Sequence, residues 1–424
     1  MTAKFTFAGF VSIFRRKLFP ARSRNRLQRA SAAKCDSRWN LLPPELVDEI
    51  LQYLSEDLPA LKACSLTCKI LHDSARPLIG SWLYISSSRK RKSKARSMKS
   101  FLHLSKKTVD GLAMLSDNQN RGLLPHTRHM VLKMEDSSPL PESLQPFLAY
   151  FSSIDKLQTL AIDGLDVTAF IPVFYPCLGM FTSSLRSLDI RHIWDSDRQL
   201  LWFIGQFPLL EDLSIRHCHT HYFFLGPSPP LFRTSPPFRG HLNLSLIVDS
   251  QSLCEALAQF PGGLNFTSIE LKGCGKPSAV IAACQLSLRS ISYTWTTTTS
   301  RALDLKVSSV LEKFEFKTEC ANLASAPGWL YRTLCKINSP AFREFIISVS
   351  DCSTAADLST TMSGDNWKTV DAYLFLWSKF QPTFRVTFRV GLIGDDGDAV
   401  RAFIGKRFSN VSKKGIMAVE LRNG

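Results

Sequence analysis

From residue 126 onward the chain repeats one arrangement: an apolar residue, two variable ones, an apolar residue, one variable, and a third apolar residue. It reads Leu157-x-x-Leu160-x-Ile162, Leu185-x-x-Leu188-x-Ile190 and Leu210-x-x-Leu213-x-Ile215. It continues as Phe266-x-x-Ile269-x-Leu271, Leu288-x-x-Ile291-x-Tyr293, Leu311-x-x-Phe314-x-Phe316 and Phe342-x-x-Phe345-x-Ile347. Weaker copies start at His129 (Leu132, Met134), His241 (Leu244, Leu246) and Arg385 (Phe388, Val390). Up to residue 342 the starts lie 22 to 31 residues apart. The last two apolar positions of each copy enclose a single variable residue, the period of a strand with one buried face. Each interval leaves room for a helical or irregular return. One strand and one return cannot bury their apolar face alone, so the copies are expected to stack.

Residues 42–80 follow a helical period instead. Leu46, Ile50 and Leu54 recur every four residues, and Val47 and Leu51 widen the stripe on one side. Pro44 suits the first turn, where its missing N–H has no partner to lose, and Glu45, Asp48 and Glu49 sit near the positive end of the dipole. Asp57 is placed to cap a second short helix, with Pro59 in its first turn and Leu58 and Leu61 facing inward. In a third run Leu66, Ile70 and Leu71 continue the apolar face, which Pro77 is expected to end. Three short helices in about forty residues are near the lower size limit for an independent core, so this unit is expected to seek a partner surface.

Residues 41–80, with LPPEL..EIL..L followed by LKACSL.CK, resemble the F-box, especially the form found in mushroom-type fungal proteins. Where that family usually carries an aromatic, this chain has Ile70-Leu71. The resemblance implies docking on the Skp-family adaptor of SCF ubiquitin ligases. Leu42, Pro43, Glu45, Leu46, Ile50 and Leu54, with Leu58, Leu61 and Leu66, would supply the adaptor contact or the core behind it. The repeated triplets are similar to leucine-rich repeats, which carry Asn or Cys three residues after the last apolar position. Cys218 and Cys274 stand at that place. The Pro-rich stretch 226–237 falls inside one of the longest intervals, where a surface loop would lengthen it.

Charge changes the picture only locally. The chain carries +16 in all, but residues 1–38 hold ten Lys/Arg against one acid, and residues 89–107 hold nine and no acid. Subtracting those two +9 segments from +16 leaves the other 367 residues at −2, so the body of the chain is not read as a nucleic-acid binder. Residues 1–38 have the composition of a presequence or membrane-surface amphipath, and are read here as a disordered tail. Arg89–Arg96 suits a nuclear-import signal or an acidic partner, and equally a solvated stretch between domains. No run approaches the length of a membrane span. The eleven scattered cysteines, without a CxxC pair, read as reduced thiols in cytosol or nucleus.

Candidate chemistry is sparse. Arg216–His221 contains His and Cys, but no second ligand pair stands nearby in sequence, so no metal and no cofactor is expected. Cys64 and Cys68, four apart, read as small buried thiols on one side of a helix. Residues 394–398 read as an acidic turn without calcium-loop spacing. No GxSxG, P-loop, HExxH or dinucleotide fingerprint occurs, and catalysis is not expected.

The residues flanking the last two apolar positions should face away from the core. They include Asp163, Asp189, Arg191, Asp212, Arg216, Glu270, Lys272, Lys313, Glu315, Lys317 and Glu344, six acids and five bases. A surface of mixed sign suits a protein substrate and not a phosphate backbone. The expected fold is α+β overall: a basic tail (1–38), a three-helix F-box (39–80), a basic linker (81–124) and an irregular α/β leucine-rich-repeat solenoid (125–424). The expected function is substrate receptor of an SCF-type cullin-RING ligase in cytoplasm or nucleus, binding the Skp-family adaptor and through it cullin. The alternative is a non-ligase scaffold built from the same modules.

Overall fold

The computed structural model describes residues 42–54, 57–86, 103–104, 124–133, 154–164, 183–191, 194–195, 197–217, 219–220, 236–245, 250–260, 263–274, 277–297, 301–306, 308–392 and 396–423. The tail 1–38, the basic run 89–96, Cys218, the side chain of Leu58 and most of the Pro-rich stretch lie outside the described residues.

Three helices come first: α1 Pro44–Tyr53, α2 Leu58–Ser65 and α3 Lys69–Gly80. Pro44 opens α1, and Asp57 caps α2 by accepting the Ala60 amide at 3.1 Å. Val47, Leu51, Leu61, Cys64, Leu71 and Ala75 form their core. Two expectations change here. Pro77 lies inside α3 and does not end it. The ring removes one amide donor, yet the last turn is held from outside it. The Ser81 hydroxyl donates to Leu78 O at 2.7 Å, and the Thr127 hydroxyl donates to Gly80 O at 3.2 Å. Cys68 is not on the helix of Cys64; it is the extended N-cap residue of α3 and only half-buried.

The strands follow: β1 Trp82–Ser86, β2 His103–Leu104, β3 His129–Lys133, β4 Thr159–Asp163, β5 Ser187–Arg191, β6 Trp194–Asp195, β7 Asp212–Arg216 and β8 His219–Thr220. After them come β9 His241–Ser245, β10 Ser268–Lys272, β11 Ser290–Thr294, β12 Lys313–Glu319, β13 Glu344–Cys352, β14 Arg385–Leu392 and β15 Met417–Asn423. Thirteen of them form one sheet of order β15-β14-β13-β12-β11-β10-β9-β7-β5-β4-β3-β1-β2, every pairing parallel. From β3 on, spatial order follows chain order, and β6 and β8 pair separately.

The register explains the triplets. Met130, Leu160, Leu188, Leu213, Leu242, Ile269, Ile291, Phe314, Phe345 and Val386 align as one buried row. Leu132, Ile162, Ile190, Ile215, Leu244, Leu271, Tyr293, Phe316, Ile347 and Phe388 align as a second. The leading residues Leu157, Leu185, Leu210, Phe266, Leu288, Leu311 and Phe342 are buried too. Each such side chain contributes roughly 1.5–3 kcal/mol on leaving water. Helices α4 Asp197–Ile204, α5 Ser250–Ala258, α6 Ser278–Ala283, α7 Ala326–Leu334, α8 Ala355–Thr361, α9 Asn366–Phe380, α10 Gly397–Arg407 and α11 Ser409–Lys413 pack on that same face. Gly397 and Asp398 open α10, where the acidic run 394–398 had been expected to be a turn.

The weaker copies run two residues off. The aligned pairs are Met130/Leu132, Leu242/Leu244 and Val386/Phe388, not Leu132/Met134, Leu244/Leu246 and Phe388/Val390. A two-residue slip keeps every side chain on its face, so polarity alone does not detect it. The basic segment 81–124 also does more than link. It opens with β1, which pairs with β3 along its whole length and buries Leu83 in the sheet's core.

Candidate functional site

Two surfaces gather the residues singled out in the sequence. The first is on α1. Its inward stripe is Val47 and Leu51, which leaves Leu46 and Ile50 on the flank. Positions i, i+4 and i+7 share one helix side, which places Tyr53 with them. Leu46 is 46% exposed and Tyr53 68%, and Leu42 (36%), Pro43 and Glu45 are exposed just before and at the helix start. Ile50 is half-buried, and Leu54 packs against the small core. Leu61 is wholly buried within that core and faces no partner. Leu66, at the end of α2, is 86% exposed.

The second surface is the sheet face opposite the core, where the predicted charges hold one another. Asp189 accepts from Arg191 at 2.6 Å and from Arg216, one strand over, at 2.9 Å. The Arg216 guanidinium also donates to the Ser214 hydroxyl at 2.8 Å. The hydrogen bond to Asp189 raises the pKa of Arg191 against the opposing effect of burial. Further along the sheet, Lys317 pairs with Glu270 at 2.7 Å and approaches Glu315 at 3.9 Å. Asn243 donates to Glu270 at 3.2 Å.

Glu315 is the hub of this second group, its side chain 15% exposed. It accepts from the hydroxyls of Ser348 at 2.7 Å and Ser292 at 3.3 Å, and pairs with Arg389 at 3.4 Å. Burial pushes its pKa up, but the Ser348 bond, the charges of Lys317 and Arg389, and the Ser292 bond outweigh it and hold the carboxyl below its usual range. Arg389 in turn reaches Glu420 on the edge strand at 2.8 Å, and Lys313 pairs with Glu344 at 3.1 Å. The network spans β9 to β15.

Two predicted residues behave differently. Asp212 accepts the backbone amide of His241 at 2.6 Å, and the β7–β9 register starts one residue late, at Leu213 and Leu242. A Cβ on Gly240 would lie 2.1 Å from that carboxylate oxygen, so Asp212 braces the chain where it enters β9. Lys272 is exposed and makes no ion pair among the described residues. Ser292, Ser348, Arg389 and Glu420 escaped the sequence reading, and so did Tyr53. The first four become visible only once the strands are in register, and Arg389 sits in one of the slipped copies.

Cys274, three residues beyond Leu271, is buried, and its thiol donates to Leu244 O of the preceding strand at 3.4 Å. Among the described residues no three His, Cys, Asp or Glu side chains converge on a metal site, and no helix is long and apolar enough to cross a membrane. No family model matches the chain, and no curated protein matches it.

Proposed function

We propose that the chain is the substrate receptor of an SCF-type ubiquitin ligase. Helices α1–α3 are then an F-box of the mushroom-type fungal form, docking a Skp-family adaptor and through it cullin. The sheet with its returns is then a leucine-rich-repeat solenoid whose polar face meets a protein substrate. The observation that carries this reading is the division of labour on α1. Val47 and Leu51 serve the core, while Leu42, Pro43, Leu46 and Tyr53 remain as apolar surface in contact with water. Such an exposed apolar patch along one side of a helix supports a partner site.

On the substrate side, the paired charges from Asp189 to Arg216 and from Glu270 to Arg389 form a preorganised surface of both signs. That composition supports protein recognition and disfavours a nucleic-acid backbone. The chain does no bond chemistry in this reading and needs no cofactor. It works by proximity, holding a substrate lysine near a charged conjugating enzyme, in cytoplasm or nucleus.

Affinity purification from cells with the proteasome inhibited tests it. Recovery of adaptor, cullin and a ubiquitinated substrate supports the ligase. Adaptor without cullin points to the non-ligase tether instead, and neither one rejects both.

A further inference from the structure

A positively charged, open cavity of about 590 Å³ lies on the side of the molecule that carries the helices, near the start of the C-terminal third. Arg301, Lys306, Arg332 and Lys336 line it, together with Tyr331 and Cys335, and no carboxylate does. On the opposite sheet face Arg191, Arg216, Lys313, Lys317 and Arg389 each have an acidic partner. Here none of the four is ion-paired among the described residues.

The helix dipole accounts for only part of this. Arg332 and Lys336 lie at the end of α7, where positive charge is favoured. Arg301 and Lys306 come from a separate segment, and the fold fixes that segment against the same helix. Trp329 donates to Arg301 O at 2.6 Å, the Leu303 amide donates to the Thr333 hydroxyl at 3.3 Å, and Leu303 and Leu305 are buried. Two separately anchored segments therefore bring four like charges to one cavity, where a bound anion would be attracted by all of them. Tyr331 adds a neutral phenol donor to the lining.

We infer that this cavity binds a small ligand carrying clustered phosphate groups. Its size is in the range of small-molecule sites, and guanidinium forks suit phosphate oxygens. The inference does not depend on the adaptor reading. Its test uses the full chain, titrated calorimetrically with inorganic tripolyphosphate at physiological ionic strength. The expected result is saturable one-to-one binding that weakens about tenfold or more in the Arg301→Gln/Arg332→Gln variant. Both positions are exposed, and an unchanged melting temperature would certify that variant as folded. Absence of binding in the wild-type chain would overturn the inference. So would binding that the double variant keeps and that neutralising residues 89–96 abolishes, because the basic run would then be the site.

Discussion

Lys317 Nζ lies 2.7 Å from Glu270 Oε1 although β11 stands between their strands and 47 residues separate them in sequence. Residues that look like independent surface charges in the sequence are thus joined by the sheet's register. Lys317→Glu would place a third carboxylate beside Glu270 and Glu315. It is expected to lower stability by about 1 kcal/mol, and adding Glu270→Lys should restore much of that. Chemical denaturation of the two single variants and the exchanged pair measures the coupling. Additive single effects would remove the pair from the account.

Glu315 makes the same network sensitive to acid. Its folded-state pKa is depressed, so its contribution is complete above the ordinary carboxylate range and is lost as pH falls through the folded value. Glu315→Gln should therefore be less stable than wild type at neutral pH, and the gap should close below about pH 4. Urea midpoints at neutral and acid pH give the comparison. A gap that widens on acidification would contradict the assigned sign.

Thiol reactivity follows burial. Cys335 is exposed, whereas Cys254, Cys274, Cys284, Cys320 and Cys352 are buried. Burial pushes the Cys284 thiol up to about 12 and also raises Cys352. Brief alkylation of the native chain near neutral pH, followed by peptide mapping, should modify Cys335 and spare these five and the buried Cys64. Prompt labelling of Cys274 would contradict its burial and its bond to Leu244 O.

Much of the sheet was legible because burial is written in the triplets: every strong copy lands in register with all three apolar positions inside. The weak copies slipped because a strand's period of two makes neighbouring in-phase registers indistinguishable by polarity. At the copy near His241 the approach also departs from the others: Phe238 takes a positive φ of 43° and is buried ahead of β9. Strand β1 escaped notice because the cationic run beside it dominates the composition of its segment. The α1 surface was only half legible. An apolar stripe on a helix is visible in sequence, but which side the neighbouring helices take is not, and the core took Val47 and Leu51 over Leu46 and Ile50.

That choice has a measurable consequence. Leu51→Ala empties a buried position and should cost about 2–5 kcal/mol, while Leu46→Ala should cost well under 1. Hydrogen exchange across residues 44–80 reads this locally: protection should collapse in the first variant and persist in the second. Equal loss of protection in both would mean that Leu46 belongs to the core.

Direct calorimetric titration of the purified chain with a Skp-family adaptor tests the proposal that the surface formed by Leu42, Pro43 and Leu46 docks it. Wild type and Lys317→Glu should bind alike. Leu42→Ala/Pro43→Ala and Leu46→Ala should each weaken binding about tenfold or more while keeping helix protection intact. An adaptor that binds these variants as tightly as wild type, or does not bind the wild-type chain at all, would contradict the account.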